Sequence, residues 1–366
     1  MRIGFVLTNL AGGGAEKAVL NTAAGLAGRG HRLDVILLEH VVAHAVPPGV
    51  TLHALTREGR KASKGWLGKH LAARRLRRLI DSLEKEDKFQ LLVSTLPFAD
   101  EVALLARAPA HWCRIANTLS AEVARLAARS PSAAARRIAR YRSMYGGRAL
   151  IAVSQGVADD LRGPAGVEPS RIEVIPNPFD FAAIKRLGEM QVERPQRPYL
   201  VHVGRFSGQK RHDLLLDAFA RVNRPHRLVL LADPEPALER MIRERGLEDQ
   251  VQVAGFQQNP YPWIAAADLL VLCSDHEGLP NVIIEALALG VPAVSTDCPS
   301  GPREILGAAL PECLVPPGDA VALAAAIARA LARRPDPARA DLSRYAQSAV
   351  ISAYERIAAE GGRRGS

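Results

Sequence analysis

The sequence predicts an α/β protein of two domains, each built on a mostly parallel sheet. Short apolar runs without polar alternation, such as Arg2–Leu7 and Tyr199–Val203, are typical of strands that are covered on both faces. Segments with helical spacing lie between these runs, as right-handed βαβ crossovers require. The length of 366 residues is too great for a single core and favours about two domains.

In the first half of the chain, strands and helices alternate as far as residue 175. The strands are short runs rich in Val, Ile and Leu, and the helices are segments whose apolar residues recur every three or four positions. Gly12–Gly14 separates the first strand from the first helix. The predicted elements are, in order, a strand at Arg2–Leu7, a helix at Ala15–Gly30, strands at Arg32–Leu38, Leu91–Thr95, Arg114–Ala116 and Leu150–Ser154, a helix from Gln155 and a strand at Ile172–Ile175.

Four prolines between residues 176 and 198 interrupt this alternation and predict an interdomain linker. The predicted domains are therefore 1–178 and 199–345, with a linker at 179–198 and a C-terminal helix within 346–366 that packs back toward the first domain and ends in a frayed tail. The second domain repeats the alternation of the first. Its predicted elements are strands at Tyr199–Val203, Leu228–Leu231, Val251–Ala254, Leu269–Cys273 and Ala293–Ser295, and helices at His212–Val222, Ala237–Gly246, Asn281–Leu289 and Ala320–Arg333.

The composition excludes several classes of protein. With 48% hydrophobic and 23% charged residues, the chain is neither a disordered tail, a collagen nor a disulfide scaffold. No apolar run reaches the ~18 residues of a membrane span, and the first residues lack the cationic start and cleavage site of a signal peptide. The cysteines form no CxxC pair, so we expect them to be buried in a reducing cytoplasm. They are Cys113, Cys273, Cys298 and Cys313.

The positive charge is confined to one half of the chain. Residues 1–180 hold 26 Lys and Arg against 16 Asp and Glu, whereas residues 181–366 hold 22 of each. Arg57–Lys85 carries ten cations and three acids, with apolar residues at helical spacing, and Ala124–Arg148 carries seven Arg and no acid. These stretches predict either a face that docks on an anionic membrane or solvated helices whose apolar stripe lies in the core. The 5% aromatic content argues against nucleic-acid binding.

The segment Asp275–Pro302 combines two acids with the start of a helix. Glu277 lies in the loop after a predicted strand, and Glu285 lies about one turn into the next helix, which Pro280 begins. The backbone N–H groups of Gly278–Asn281 would form an anion site suited to a diphosphate. The two carboxylates could accept hydrogen bonds from sugar hydroxyls. The alternative is that one caps the helix and the other is solvated.

A second segment places cations at the end of another strand. Val203–Arg211, with the sequence VGRFSGQKR, directly follows the predicted strand Tyr199–Val203. Arg205 and Lys210 leave the same strand end and could neutralise phosphate oxygens, as could the adjacent Arg211. Two cations near a helix start that favours phosphate predict a site for a diphosphate-containing ligand.

The segments GRFSGQK and EGLPNVIIEALALGVPAVSTD together resemble the family 4 glycosyltransferases of the GT-B fold. The hallmark of that family is two glutamates separated by seven residues. Gly12–Gly14, VIPNP at Val174–Pro178, VQVAGF and AADLLVLCS fit the family in the same order, so the resemblance covers nearly the whole chain. It implies two Rossmann-like domains facing across a cleft, with the nucleotide-sugar donor in the C-terminal domain and the acceptor in the N-terminal one. It also implies retaining catalysis without a metal.

The resemblance assigns roles to individual residues. Glu285 would hold the ribose hydroxyls, and Glu277 would contact the donor sugar. Arg205 and Lys210 would bind the diphosphate and stabilise it as it leaves. The remaining donor-site residues would be Gly13 and Gly14 at the phosphates, Gly255 and Phe256 at the nucleobase, and Gly278, Leu279, Pro280 and Asn281 at the helix start.

The chain departs from the family pattern in two places. Many members carry a histidine where this sequence has Asn117. The Asn117 side chain could hydrogen-bond a donor hydroxyl but could not act as a base. The catalytic candidates are Asn117, Glu277, Arg205 and Lys210. His111, six residues earlier, is expected to be a surface or core histidine. The second departure is Ala232–Pro234, where relatives have a glycine-rich turn, which affects the nucleotide contacts more than the fold.

The resemblance implies a bacterial enzyme that moves a hexose or N-acetylhexosamine from a nucleotide sugar, UDP-linked by analogy, to a lipid-linked saccharide. The expected location is the cytoplasm, peripheral to the inner face of the cell membrane. Arg136, Arg137 and Arg140 are candidates for contact with a polyprenyl-diphosphate-linked acceptor or the membrane. Two alternatives remain: a sugar-nucleotide-binding scaffold without turnover, and a nicotinamide-dependent oxidoreductase, although the GGG lacks the GxGxxG spacing.

Overall fold

The computed structural model describes residues 1–195, 198–222 and 225–363. The chain divides into two compact units. The first comprises Met1–Phe179 and the C-terminal segment from Arg344, and the second comprises Asp180–Ser343. In the described ranges, no helix combines the length and the apolar character that crossing a bilayer requires.

The first unit contains a seven-stranded sheet whose paired strands are all parallel, in the order β3-β2-β1-β4-β5-β6-β7. Its strands are β1 (Arg2–Leu7), β2 (Arg32–Leu37), β3 (Val50–Ala54), β4 (Phe89–Thr95), β5 (His111–Ile115), β6 (Ala149–Ala152) and β7 (Arg171–Val174). Its helices are α1 (Gly14–Ala27), α2 (Trp66–Leu83), α3 (Pro97–Leu105), α4 (Leu119–Ala127), α5 (Pro131–Tyr145), α6 (Gln155–Arg162) and, at the end of the chain, α14 (Gln347–Arg363).

Both faces of this sheet are buried, which explains why its strands are continuous apolar runs. Phe5 packs in a cluster with residues of α1 and α14, whereas its neighbour Val6 packs in a second cluster with residues of α2 and α3. The strand order reverses between β1 and β4, so the loop that holds Gly12 and Gly13 opens at this reversal.

The second unit contains a six-stranded parallel sheet in the order β10-β9-β8-β11-β12-β13. Its strands are β8 (Tyr199–Val203), β9 (Arg227–Leu231), β10 (Val251–Val253), β11 (Leu269–Leu272), β12 (Ala293–Thr296) and β13 (Leu314–Val315). Its helices are α7 (Phe181–Gly188), α8 (His212–Phe219), α9 (Pro236–Arg243), α10 (Tyr261–Ala265), α11 (Asn281–Ala288), α12 (Pro302–Leu306) and α13 (Ala320–Arg333). Short 3-10 turns lie at Pro311–Cys313 and Pro337–Arg339, and another at Ser343–Tyr345 leads from this unit into the C-terminal segment of the first.

The linker expected at 179–198 is not a plain linker, because it contains α7. The Asp180 carboxylate caps this helix by accepting a hydrogen bond from the Ala183 N–H at 2.9 Å. Ile184 is buried, and the helix packs against α10 and α11 in the second unit. The prolines that predicted a linker therefore lie on either side of a packed helix.

The C-terminal helix α14 belongs to the first unit and packs against α1 and β4. Val350, Ile351, Tyr354 and Ile357 recur at helical spacing and are all buried in the first unit's core. A parallel bridge between Phe179 and Ala346 brings the chain back to this unit. The end of the tail that we expected to fray, residues 364–366, lies outside the described residues.

A buried polar network links β4, β5, α3 and α5 in the first unit. The Ser94 hydroxyl and the Tyr145 hydroxyl donate to the two carboxylate oxygens of Asp100, at 2.5 and 2.8 Å. The His111 Nε2 lies 2.8 Å from the Ser94 hydroxyl. Burial lowers the pKa of His111 to about 4 and raises the pKa of Asp100 to about 7. His111 is thus a half-buried histidine that bonds this network rather than a surface histidine. The four cysteines are also buried and free, as the sequence predicts.

Asp100 should make the stability of the chain depend on pH. Its carboxyl has an ordinary pKa of 3.8 and a folded pKa of about 7. Between these values the native state keeps a proton that the unfolded chain releases, so this group's contribution to the unfolding free energy falls as pH rises. Asp100→Asn cannot titrate. We expect the unfolding free energy of the wild type, minus that of the variant, to fall by roughly 2–4 kcal/mol from pH 4 to 7. If denaturant titrations show that this difference between the wild type and Asp100→Asn does not change with pH, the prediction is contradicted.

Candidate functional site

The candidate site lies where the strand order of the second sheet reverses, between β8 and β11. In an open parallel sheet, loops leave the carboxyl ends of neighbouring strands in opposite directions at such a point and open a crevice. The loop 204–211 follows β8, and the loop 273–280 follows β11 and leads into α11. These are the two segments in which the sequence placed the cations and the acids.

Lys210 and Glu277 form an ion pair between these two loops. The Lys210 Nζ lies 2.6 Å from the Glu277 Oε1, and their side chains are 21% and 10% exposed. The buried Ser274 hydroxyl donates to the same Glu277 oxygen at 2.6 Å. The Ser274 carbonyl in turn accepts a hydrogen bond from the Thr296 hydroxyl at 2.7 Å. The carboxylate is therefore held by two donors, and the ammonium remains partly open to solvent.

Gly204 makes room for the Lys210 side chain at the end of β8. A Cβ atom at Gly204 would lie 3.3 Å from both Cδ and Cε of Lys210. A larger residue would push the aliphatic stem away from the strand end. Arg205, which follows, is exposed at the same strand end. The structure thus places both predicted phosphate-binding cations at the carboxyl end of β8.

Two buried histidines lie close to Lys210. The His202 Nδ1 lies 2.9 Å from the Val271 carbonyl oxygen, and the His202 and His212 rings meet edge to face with centroids 4.8 Å apart. Burial and the nearby Lys210 charge lower the pKa of His212 to about 4, and burial lowers the pKa of His202 as well. Both imidazoles are neutral at physiological pH, so Lys210 carries the positive charge at this point.

Arg211 bonds two protein carboxylates, and its predicted role at phosphate oxygens stays a prediction. Its guanidinium bonds Asp213 and Asp275, each at 2.9 Å, and its pKa is raised, first by the hydrogen bond with Asp213. Gln209 adds two contacts. Its side-chain amide donates to the His276 carbonyl at 2.7 Å, and its backbone carbonyl accepts a hydrogen bond from the Asp275 N–H at 2.9 Å. Apart from the local Arg211–Asp213 pair, these contacts fasten the two loops to each other. They join residues 64 to 67 positions apart, so no local pattern in the sequence indicates them.

Glu285 lies within α11 and points into the buried region beside Tyr261. It is 8% exposed, and the Tyr261 hydroxyl donates to its Oε1 at 3.3 Å. Burial and the Glu285 charge raise the pKa of Tyr261, so the phenol keeps its proton. Neither Glu277 nor Glu285 is solvated, which contradicts the alternative in which one of the two glutamates is exposed to solvent.

The loop after β12 packs against the start of α11. Gly301 has φ +97°, and a Cβ there would overlap the ring of Pro280. The Pro299 carbonyl also accepts a hydrogen bond from the Glu277 N–H at 3.2 Å. The position of Gly278, Leu279, Pro280 and Asn281, which the sequence assigned to the donor, therefore depends on a glycine 20 residues beyond them in the next loop.

Two other predicted residues follow β10 in the same sheet. Gly255 has φ +76° with open space around it, and the Phe256 side chain is 69% exposed. Carboxyl ends of parallel strands lie along one edge of a sheet, so this loop opens on the same edge as Lys210. Their contact with a nucleobase remains a prediction.

The remaining predicted donor residues belong to the first unit. Gly13 precedes α1, with φ +157°, and Gly14 is the first residue of that helix. Asn117 follows β5, and its side-chain oxygen accepts a hydrogen bond from the Thr118 N–H at 2.9 Å. Their predicted roles at the donor remain predictions.

The arginines suggested for the acceptor or membrane lie on α5. Arg137 pairs with Glu122 at 2.8 Å, and Arg140 pairs with Glu101. Arg136 is exposed. Two of the three charges are thus already matched by acids of the same unit, and their roles stay a prediction.

Two family models match the chain. Residues 12–183 match the model described as Glycosyltransferase Family 4, and residues 197–333 match the model described as Glycosyl transferases group 1. Together the matches leave out only the first residues, the segment between the models and the C-terminal part.

Curated relatives and solved structures agree with these matches. An N-acetylgalactosamine-N,N'-diacetylbacillosaminyl-diphospho-undecaprenol 4-alpha-N-acetylgalactosaminyltransferase of Campylobacter jejuni is 32% identical over 43% of this chain and 44% of that protein. A lipopolysaccharide 1,6-galactosyltransferase of Salmonella typhimurium is 31% identical over 46% of this chain and 48% of that protein. The matches thus span about half the length of these relatives.

Solved structures are similar over nearly the whole chain. Anabaena HepE, solved with UDP and glucose, has a TM-score of 0.73 at 20% identity over 98% of this chain and all of its own. WaaG, a glycosyltransferase involved in lipopolysaccharide biosynthesis, has a TM-score of 0.65 at 18% identity over 97% and 95%. These likenesses confirm the predicted GT-B fold.

Replacing Gly301 by alanine should destabilise the second unit. The variant must adopt a left-handed backbone conformation with a methyl group and must displace Pro280. We expect a loss of about 2 kcal/mol or more in unfolding free energy, measured by denaturant titration. Gly246→Ala is the matched control, because Gly246 also has positive φ (+62°) but no atom within 4 Å of the added methyl. Equal losses in the two variants would show that the contact with Pro280 contributes nothing.

Proposed function

The chain belongs to the glycosyltransferases described by these two family models, and from that premise we propose that it transfers a hexose or N-acetylhexosamine from a UDP-linked donor to a lipid-linked saccharide. The observation that carries the proposal is the Lys210–Glu277 pair at the reversal of the second sheet. It supplies a cation for a diphosphate and a carboxylate for a sugar at one point.

In the proposed complex, the donor diphosphate draws Lys210 away from Glu277. The Ser274 hydroxyl still donates to the carboxylate, and a sugar hydroxyl takes the place of Lys210 as its second donor. Arg205 is exposed at the same strand end and adds a second cation. The Glu285 carboxylate, oriented by the Tyr261 hydroxyl, accepts hydrogen bonds from the ribose hydroxyls. A charged hydrogen bond of this kind is worth about 1.5–3 kcal/mol.

The proposed reaction exchanges one bond at the anomeric carbon for another. The bond from this carbon to the diphosphate oxygen breaks, and UDP leaves with the electron pair. The acceptor hydroxyl oxygen bonds to the same face of the carbon, so the configuration is retained. The hydroxyl proton passes to the departing diphosphate. Lys210 and Arg205 stabilise the negative charge that develops on this group, and no metal is required in this scheme.

The comparisons support the donor and the acceptor classes. The solved HepE complexes contain UDP, one of them UDP-glucose, and the name of the Campylobacter relative specifies a diphospho-undecaprenol-linked substrate. The excess of positive charge in residues 1–180 suits an acceptor held at an anionic membrane. We therefore place the reaction at the inner face of the cell membrane. The matches to glycosyltransferases give no support to an oxidoreductase.

Nucleotide release from a panel of UDP-, GDP- and ADP-sugars tests the proposal. With lipid extract as acceptor and EDTA present, we expect release from one UDP-sugar that requires the lipid. Lys210→Met and Glu277→Gln should each lower the rate by roughly 100- to 1,000-fold, because each removes a preorganised charge. Arg240→Gln on α9 is the control, since it removes an exposed charge of the same unit that belongs to neither of the two site loops.

Each outcome separates the proposal from its alternatives. Tight donor binding without turnover in any lipid or saccharide acceptor would identify a non-catalytic scaffold, to which Asn117 in place of histidine would then be relevant. Release that requires a divalent cation would overturn the metal-free scheme. Full activity of Lys210→Met would overturn the assignment of the site.

A further inference from the structure

The start of α2 exposes large apolar side chains that the fold leaves uncovered. Trp66, Leu67 and Leu71 are 70%, 75% and 50% exposed. All three tryptophans of the chain are described, and the other two, Trp112 and Trp263, are buried. Single exposed apolar residues are common on proteins, but here a tryptophan and two leucines are exposed within the first two turns of one helix and give it an apolar surface.

This surface continues into a basic strip along the same helix. Leu67, Leu71, Arg74 and Arg78 are separated by three or four residues, so they lie on one side of α2. All four are exposed. The buried residues of α2 lie on the opposite side, where they pack into the core: Ala72, Ala73, Leu76 and Ile80. The exposed side of α2 is therefore apolar in the first two turns and cationic in the next two.

Neighbouring segments add to the positive charge. The loop before α2 carries four exposed cations within eight residues: Arg57, Arg60, Lys61 and Lys64. Beside α2, an open groove is lined by His70, Arg74, Arg77, Leu105 and Arg107. The Arg77 guanidinium donates to the Arg107 carbonyl at 3.1 Å, which joins α2 to the segment after α3.

We propose that this surface, Trp66–Arg78 with the loop 57–64, docks the chain on an anionic phospholipid bilayer. Trp66, Leu67 and Leu71 enter the interface between headgroups and acyl chains, and Arg74 and Arg78 lie at the level of the lipid phosphates. A tryptophan beside leucines, followed by arginines on the same face, is suited to that boundary. The inference rests on the proposed function only in that a lipid-linked acceptor requires the chain at a membrane.

The charges on α2 are better placed for a bilayer than those on α5. Arg137 and Arg140 are paired with acids, whereas Arg74, Arg75 and Arg78 are exposed and only Arg77 of the α2 arginines pairs with an acid among the described residues, Asp81. The arginines of α5 also lack an exposed tryptophan or leucine beside them. Of the two basic stretches that the sequence suggested for a membrane, the structure therefore favours Arg57–Lys85 over Ala124–Arg148.

The emission of Trp66 reports docking directly, since it is the exposed tryptophan. Adding vesicles rich in phosphatidylglycerol should shift the emission to the blue, and vesicles of phosphatidylcholine alone should not. Trp66→Phe should abolish the shift, although the variant protein should still sediment with the vesicles. A shift that persists in Trp66→Phe, or none in the wild type, would contradict insertion of this residue.

Vesicle sedimentation separates the apolar part from the basic part. Trp66→Ser with Leu67→Ser should weaken binding by about tenfold or more through lost apolar burial. Arg74→Gln with Arg78→Gln should weaken it by a similar factor at low salt and by less at high salt. Val321→Ser removes a 66% exposed apolar side chain of the second unit, and Arg240→Gln with Arg243→Gln removes two exposed arginines. Both controls should bind as the wild type does.

The outcomes distinguish docking from sugar transfer. Donor binding without vesicles should be equal in the wild type and in every docking variant. Wild-type protein that transfers sugar to acceptor in detergent but does not bind anionic vesicles would overturn docking alone. Vesicle binding without transfer would overturn the proposed function alone. Dimerisation that Trp66→Ser with Leu67→Ser abolishes, without vesicle binding, would identify a second copy as the occupant and overturn the membrane assignment.

Discussion

An ammonium and a carboxylate from loops 67 residues apart meet where the strand order of the second sheet reverses. The connections that follow β8 and β11 run in opposite directions there and leave a crevice. Lys210 and Glu277 lie in the loops at the ends of these two strands. The other features of the site hold this pair in place. Gly204 accommodates the lysine stem, Ser274 holds the carboxylate, and Gly301 lets the next loop approach the start of α11.

The energetics of the pair suit a site that exchanges partners. Removing one partner from a part-buried ion pair leaves an uncompensated charge, which is costly unless another group replaces it. A diphosphate supplies that replacement for Lys210, and the Ser274 hydroxyl at 2.6 Å remains on Glu277. The neutral His202 and His212 beneath the lysine add no competing charge. The arrangement therefore suits the proposed exchange, in which a diphosphate replaces Glu277 as the partner of Lys210.

Much of the fold follows from local sequence patterns, and much of the site does not. Arg2–Leu7, Tyr199–Val203 and Ala320–Arg333 were predicted with the bounds that the structure shows, because buried strands and amphipathic helices have strong periodicity. The edge strand β3 was missed because its residues are half-buried and partly polar, and α7 because prolines flank it. Lys210 and Glu277 were predicted from strand ends and family motifs. Ser274, Gln209 and Tyr261 were not, since their roles arise from contacts between distant segments, and the Arg211–Asp275 pair was not predicted for the same reason.

The affinity for UDP, compared with that for uridine, tests most directly whether Lys210 binds a diphosphate. Calorimetric titration should show Lys210→Met to bind UDP about tenfold or more weakly than the wild type, because a charge-assisted contact is lost. Its affinity for uridine should be unchanged. Equal affinities of the two proteins for UDP, or a parallel loss for uridine, would contradict the account.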